Sequence, residues 1–165
     1  IGYCAWPDIV AEKQETMNIM NQMIKDKVTA YYDGQRVKIT VNDVLPQTKL
    51  LTNKKIISGY KKLWLDYIEI AANQIELEKY PLPLFDKAYC MIITSLPKTQ
   101  KYWDVDNKVY GHIINALRHN GFIQNDQWNN LVIIKAGRND LPKPCTIIYL
   151  TGQWDKLPYV EEASS

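Results

Sequence analysis

Between Trp103 and Leu131 the chain reads WDVDNKVYGHIINALRHNGFIQNDQWNNL, and three carboxylates punctuate it: Asp104, Asp106 and Asp126. Asp104 and Asp106 stand two apart. In an extended segment that spacing sets both side chains on one side, with Val105 turned the other way toward a core. Two carboxylates so close repel each other unless a proton or a cation intervenes. Mg²⁺ would remove the repulsion, because it prefers oxygen ligands, keeps several waters and is satisfied by two or three carboxylates plus a phosphate oxygen. Mn²⁺ suits the same donors. Such an ion can activate water, polarise a phosphodiester and stabilise the leaving oxygen. The chemistry expected is therefore metal-dependent phosphodiester hydrolysis. Asp104, Asp106 and Asp126 are its metal-binding carboxylates, and Asn125 is a neutral oxygen ligand or a cap. A D-x-D-N run taken alone is commonly a turn and a helix cap, and Asp106 or Asn107 is suited to cap the helix that follows.

Charge distribution adds a track for phosphates. The whole chain carries a net charge of only +2. Residues 1–35 hold 3 basic and 5 acidic side chains and 136–165 hold 3 and 4, whereas 36–135 hold 14 and 9, so the positive surplus is central. Lys49, Lys54, Lys55, Lys61 and Lys62 follow one another without an intervening acid, and Lys98, Lys101 and Lys108 flank the aspartates. We read Lys54, Lys55, Lys61, Lys62, Lys98 and Lys101 as DNA-binding and Lys108 as a catalytic cation stabilising developing charge. Any one of these lysines read alone is an ordinary solvated residue. Tyr102, Trp103 and Trp128 beside the carboxylates suit stacking on opened bases, although residues so placed are more often half-buried supports. His112 lies four after Lys108 on the expected helix face that continues to Asn115 and His119. It is a plain surface histidine or a second source of positive charge.

The elements that must position these groups are legible in the periodicity. Residues 8–30 read as a helix with Ile9, Met17, Met20, Ile24 and Val28 near one stripe, closed by the Asp33-Gly34 turn. The methionine series suits core or partner-facing packing. RVKITV (36–41) alternates as a strand, Lys54 to Glu78 reads as a second helix, and AYCMIITSL (88–96) is apolar enough for a central strand. A helix over 107–120 closes at Gly121, and strands follow at 130–136 and 145–150. The fold class expected is α+β: a mixed β-sheet of about four strands with helices packed on it. The divisions are an N-terminal helical extension (1–35), a nuclease domain (36–152) and a tail (153–165). With 46% hydrophobic residues the chain is globular, and it contains neither a membrane-length apolar run nor a signal-peptide core. Cys4, Cys90 and Cys145 are odd in number and far apart with no C-x-x-C pair, which argues against a disulfide framework or a zinc site and fits a reducing compartment. No Gly-rich phosphate loop, Ser/His/Asp set or Cys/His cluster is present.

The motif resembles that of the RusA family of Holliday-junction resolvases, whose pattern is D-x-D-N, a helix ending in A-L, a Gly, and a short reach to D-D before a strand. The matching residues are Asp104-Val105-Asp106-Asn107, Asn115-Ala116-Leu117, Gly121-Phe122 and Asn125-Asp126. RVKITVNDVLPQTKLL looks like the family's first strand and its Pro-containing loop, so the resemblance spans about residues 36–151. It implies a homodimeric, Mg²⁺-dependent endonuclease of phage or prophage type, working in the cytoplasm of a bacterial cell or infected host. Such an enzyme nicks branched DNA in recombination or repair, with Asp104, Asp106 and Asp126 essential. Two departures stand out. Tyr110-Gly111 occupies the place of a helix lysine, and Asn125 replaces the first of the paired aspartates. They favour an alternative, a weakened or inactive module that binds DNA or a protein partner. The acidic, Met-rich residues 1–35 offer a surface for such a partner.

Overall fold

β-branched and aromatic residues supply five strands, and the computed structural model sets them in one mixed sheet. It describes residues 6–47, 53–100, 105 and 108–158. In chain order the elements are α1 (Trp6–Lys25), β1 (Val28–Tyr32), β2 (Arg36–Val41), α2 (Lys54–Gln74), β3 (Ala88–Ser95), α3 (Gly111–His119), β4 (Leu131–Arg138) and β5 (Cys145–Thr151). The sheet order is β1-β2-β5-β3-β4. All neighbours are antiparallel except β3 and β4, which run parallel with Ala88 opposite Leu131. A parallel pair needs a crossover, and α3 supplies it. The molecule is thus an α+β domain whose strand at 88–95 is interior, flanked by β5 and β4.

Alternation along the strands separates two apolar faces. On one face Val37, Ile39, Ala88, Cys90, Ile92, Ile148 and Leu150 meet the buried sides of α2 and α3, led by Trp64, Ile68, Ile113 and Leu117. On the other, Met91, Ile93, Cys145, Ile147 and Tyr149 form a smaller cluster with Leu141 and Leu157. Both described cysteines are buried thiols, and burial pushes Cys90 up to about 12. Trp64 and Tyr67 meet edge to face at 5.3 Å between ring centres.

The sequence reading requires correction at two helix boundaries. The first helix stops at Lys25, and Val28 belongs to β1, a fifth strand. The apolar spacing of Met20, Ile24 and Val28 continues a helical period, but VTAYY is β-branched and aromatic and finds a full register against β2. A boundary at residue 35 therefore falls inside a hairpin. Its turn is set by Asp33, whose Oδ1 accepts from the Gln35 and Arg36 amides at 2.8 and 2.7 Å, and by Gly34 at φ 92°. The sheet's outer margin at β1 is covered by a side chain of α2: Gln74 accepts from the Ala30 amide at 2.7 Å and donates to the Val28 carbonyl at 2.9 Å.

The second correction concerns α3, which begins at Gly111 rather than 107. Lys108 pairs with Gln47 in a short antiparallel bridge, and the Val109 amide donates to the Pro46 carbonyl at 3.3 Å. Those contacts hold the chain out of the helix, so its N-cap position is Tyr110 rather than the expected 106 or 107. The other end is as expected. Gly121 sits at φ 86°, its amide bonds to Arg118, and the Phe122 amide reaches back to Leu117 at 3.0 Å, a paired closure that uses two terminal carbonyls.

Candidate functional site

Asp104, Asp106, Asn107 and Lys101 lie outside the described residues, as do Tyr102 and Trp103. The backbone between the two aspartates is described at Val105, whose carbonyl accepts the Tyr110 hydroxyl at 2.7 Å. Lys108, two residues beyond Asp106, is a buried ammonium rather than a solvated one. It is 7% exposed and donates from Nζ to the Leu45 carbonyl at 3.1 Å. Burial lowers its pKa. Because α3 starts later than expected, Lys108 is not on the helix face shared by His112, Asn115 and His119. Its placement comes from the bridge to Gln47 instead.

The third carboxylate is on the loop after α3. Asp126 is half-exposed, and its ion pair is with Arg118 of α3, 3.5 Å away, rather than with Lys108. At that exposure the pair adds little to stability, but it fixes which cation attends the carboxylate. Asn125 is engaged within its own loop. Its Oδ1 already accepts from the Gln127 amide at 3.0 Å and from Asn130 Nδ2 at 2.9 Å, so both lone pairs hold the loop together. Its second reading, as a cap, is the one the geometry supports. Asp126 fits a hard divalent cation and Asn125 does not. Among the described residues there is no group of three or more His, Cys, Asp or Glu able to hold a metal. A metal centre here would draw on Asp104 and Asp106 together with Asp126.

Trp128, two residues on, is 90% exposed, so it is not the half-buried support that residues so placed more often are. Arg118 escaped the sequence reading altogether. The available signal was its spacing of three from Asn115, whose Oδ1 it contacts at 3.3 Å.

Lys54, Lys55, Lys61 and Lys62 gather within about a third of the circumference of α2, at its N-terminal half. All four are exposed. The helix has no acidic residue in its first turn, and Asn53 caps it through Oδ1 to the Lys55 amide at 2.8 Å. Lys54 and Lys55, in that first turn, oppose the helix dipole, whose positive end favours anions. Among the described residues only Lys62 of the four has an ion pair, with Asp66 at 2.9 Å. Lys98 belongs elsewhere, in the turn after β3. There it helps Arg138 hold the Asp140 carboxyl below its usual range, the Arg138 hydrogen bond being the larger cause.

No helix of the described residues is long and apolar enough to cross a membrane. No family model matches the chain, and no curated protein matches it. Among solved structures it is similar to the periplasmic domain of MotB from Helicobacter pylori, at a TM-score of 0.40 and 11% identity, covering 78% of this chain and 82% of that one. So loose a likeness carries no argument about what the chain does.

Proposed function

We propose that the chain is a metal-dependent endonuclease acting on branched DNA, of the kind its D-x-D-N motif resembles. The observation that carries the reading is the N-terminal half of α2, where four exposed lysines share one side and two of them, Lys54 and Lys55, stand on the positive end of a helix with no acid in its first turn. That arrangement disfavours the isolated protein and favours a bound polyanion. Mg²⁺ or Mn²⁺ held by Asp104, Asp106 and Asp126 would supply the Lewis acid that activates water. The chain's own contribution is to hold the strand along α2, to place the buried Lys108 two residues from Asp106, and to offer Trp128 as a stacking surface. Recognition would run through backbone and shape rather than base edges. Symmetric cutting of a four-way junction needs two such centres, hence a homodimer.

The test is a labelled four-way junction beside a linear duplex, each in Mg²⁺ and in EDTA. Paired, metal-dependent nicks confined to the junction are expected. Asp106→Asn should abolish them while junction binding stays measurable, and unchanged cutting by that variant would remove Asp106 from the metal site.

A second reading rests on Asn125 and Asp126. With the Asn125 oxygen committed to the loop and Asp126 attended by Arg118, the set resembles a nuclease scaffold kept for binding. The exposed Ile9, Val10, Met17, Met20 and Met23 of α1 offer such a module a surface for a protein partner. Junction binding that persists in EDTA, with no nicks in Mg²⁺, would select it.

A further inference from the structure

α2 and α3 enclose a cavity of about 250 Å³ whose polar lining is Lys61 from α2 and His112, Asn115, Arg118 and His119 from α3. Every ionisable group on that lining is basic, and these are the only two histidines of the chain. His112 is 7% exposed, and its Nε2 is shut away from water without a hydrogen-bond partner among the described residues. His112 thus lines the wall of the cavity with its ring, and His119 adds a second imidazole to the lining. Asn115 accepts from Arg118 through Oδ1, which leaves its amide nitrogen as a further donor. Arg118 is shared with Asp126 at the rim. Guanidinium, ammonium, amide and imidazole donors converging from two helices suit a compact anion with several acceptor oxygens.

We propose that the cavity between α2 and α3 is a phosphate-binding site, in which Lys61, Arg118 and His119 receive the oxygens of a single phosphate group and the His112 ring forms part of the wall. The site deepens the nucleic-acid reading and rests on it only for the source of that phosphate, a diester of the strand laid along the α2 lysines. A phosphorylated small molecule is the other source of the same chemistry.

The two histidines make the site directly observable. Their ring signals are followed by NMR as inorganic phosphate is added to the intact chain, then a short oligothymidylate, with chloride at matched ionic strength as the control. Saturable movement of both rings by phosphate, absent with chloride and weakened about tenfold by Lys61→Gln, is the expected result. Lys61 is exposed, so the substitution leaves the core intact. Asp126→Asn, which releases Arg118, should tighten phosphate binding. Saturable movement with the oligonucleotide as well assigns the site to a strand. Movement with phosphate, but no oligonucleotide binding by fluorescence anisotropy, keeps the site and overturns the nucleic-acid reading instead. Rings unmoved by both ligands, or moved equally by chloride, overturn the site even if the oligonucleotide binds elsewhere. Unchanged phosphate affinity in Lys61→Gln does the same.

Discussion

α1 and α2 are of nearly equal length, 20 and 21 residues, and both carry an apolar stripe, yet they meet opposite fates. α2 presses Trp64, Tyr67, Ile68, Ala71 and Ala72 into the sheet. α1 leaves Ile9, Val10, Met17, Met20 and Met23 more than half exposed and touches the body chiefly through Ile24. Amphipathic spacing thus marks a helix but does not say whether its apolar face is covered within the same chain. The residues themselves differ in kind. The α2 stripe is built on bulky rings and branched chains that interlock with a sheet, whereas α1 relies on unbranched methionine, which adapts to many partners.

The contrast can be broken by substitution, and the largest effect belongs to Trp64→Ala. Trp64 is fully buried, and its removal should cost about 3–5 kcal/mol in a denaturant titration. A loss below about 1 kcal/mol would mean that α2 holds the sheet no more firmly than α1 does. Gly121→Ala comes next. It places a Cβ 3.1 Å from Leu82 Cδ1 at a backbone φ of 86°, so roughly 1–2 kcal/mol should go, read as a lower thermal midpoint.

Acid should sharpen the same contrast, because the α2–α3 side contains a buried histidine, His112. The pKa of His112 is lowered by burial first and by the Lys61 charge second. The unfolded chain therefore takes up this proton before the folded one. The contribution of His112 is complete above the unfolded value of about 6.5 and is lost as pH falls through and below it. Stability measured from pH 7.5 down to 5 should decline across that window, and Lys61→Gln should raise the His112 midpoint. A flat profile with an unmoved midpoint would show that the ring is not held neutral by its surroundings. The smallest effect is expected for Met20→Ala on the open face of α1, within about 0.5 kcal/mol of the parent. A larger loss would mean that α1 is already covered in solution.

Much of the fold was legible because period and composition agreed. RVKITV alternates, AYCMIITS is apolar and branched, and Gly121 stops α3 where a left-handed residue is needed. β1 was hidden because Val28 extends the helical spacing of α1, and only the partner strand 36–41 decides the matter. The start of α3 was hidden likewise, since Lys108 and Val109 are tied to Gln47 and Pro46, more than sixty residues earlier. Of the site, the lysine face of α2 could be read residue by residue. The commitment of the Asn125 oxygen to its own loop, the Arg118–Asp126 pair and the seclusion of His112 could not, because each depends on groups brought close by folding.

Gln74 gives the sheet a direction of growth. A β-strand at a margin normally invites any passing extended chain to join it, and the two hydrogen bonds that Gln74 makes to Ala30 and Val28 occupy the positions such a chain would need. β4, at the other margin, is paired with β3 alone among the described strands. Among the described strands β4 is therefore the margin whose outer groups are left to another chain, while β1 has two of its own taken up by Gln74.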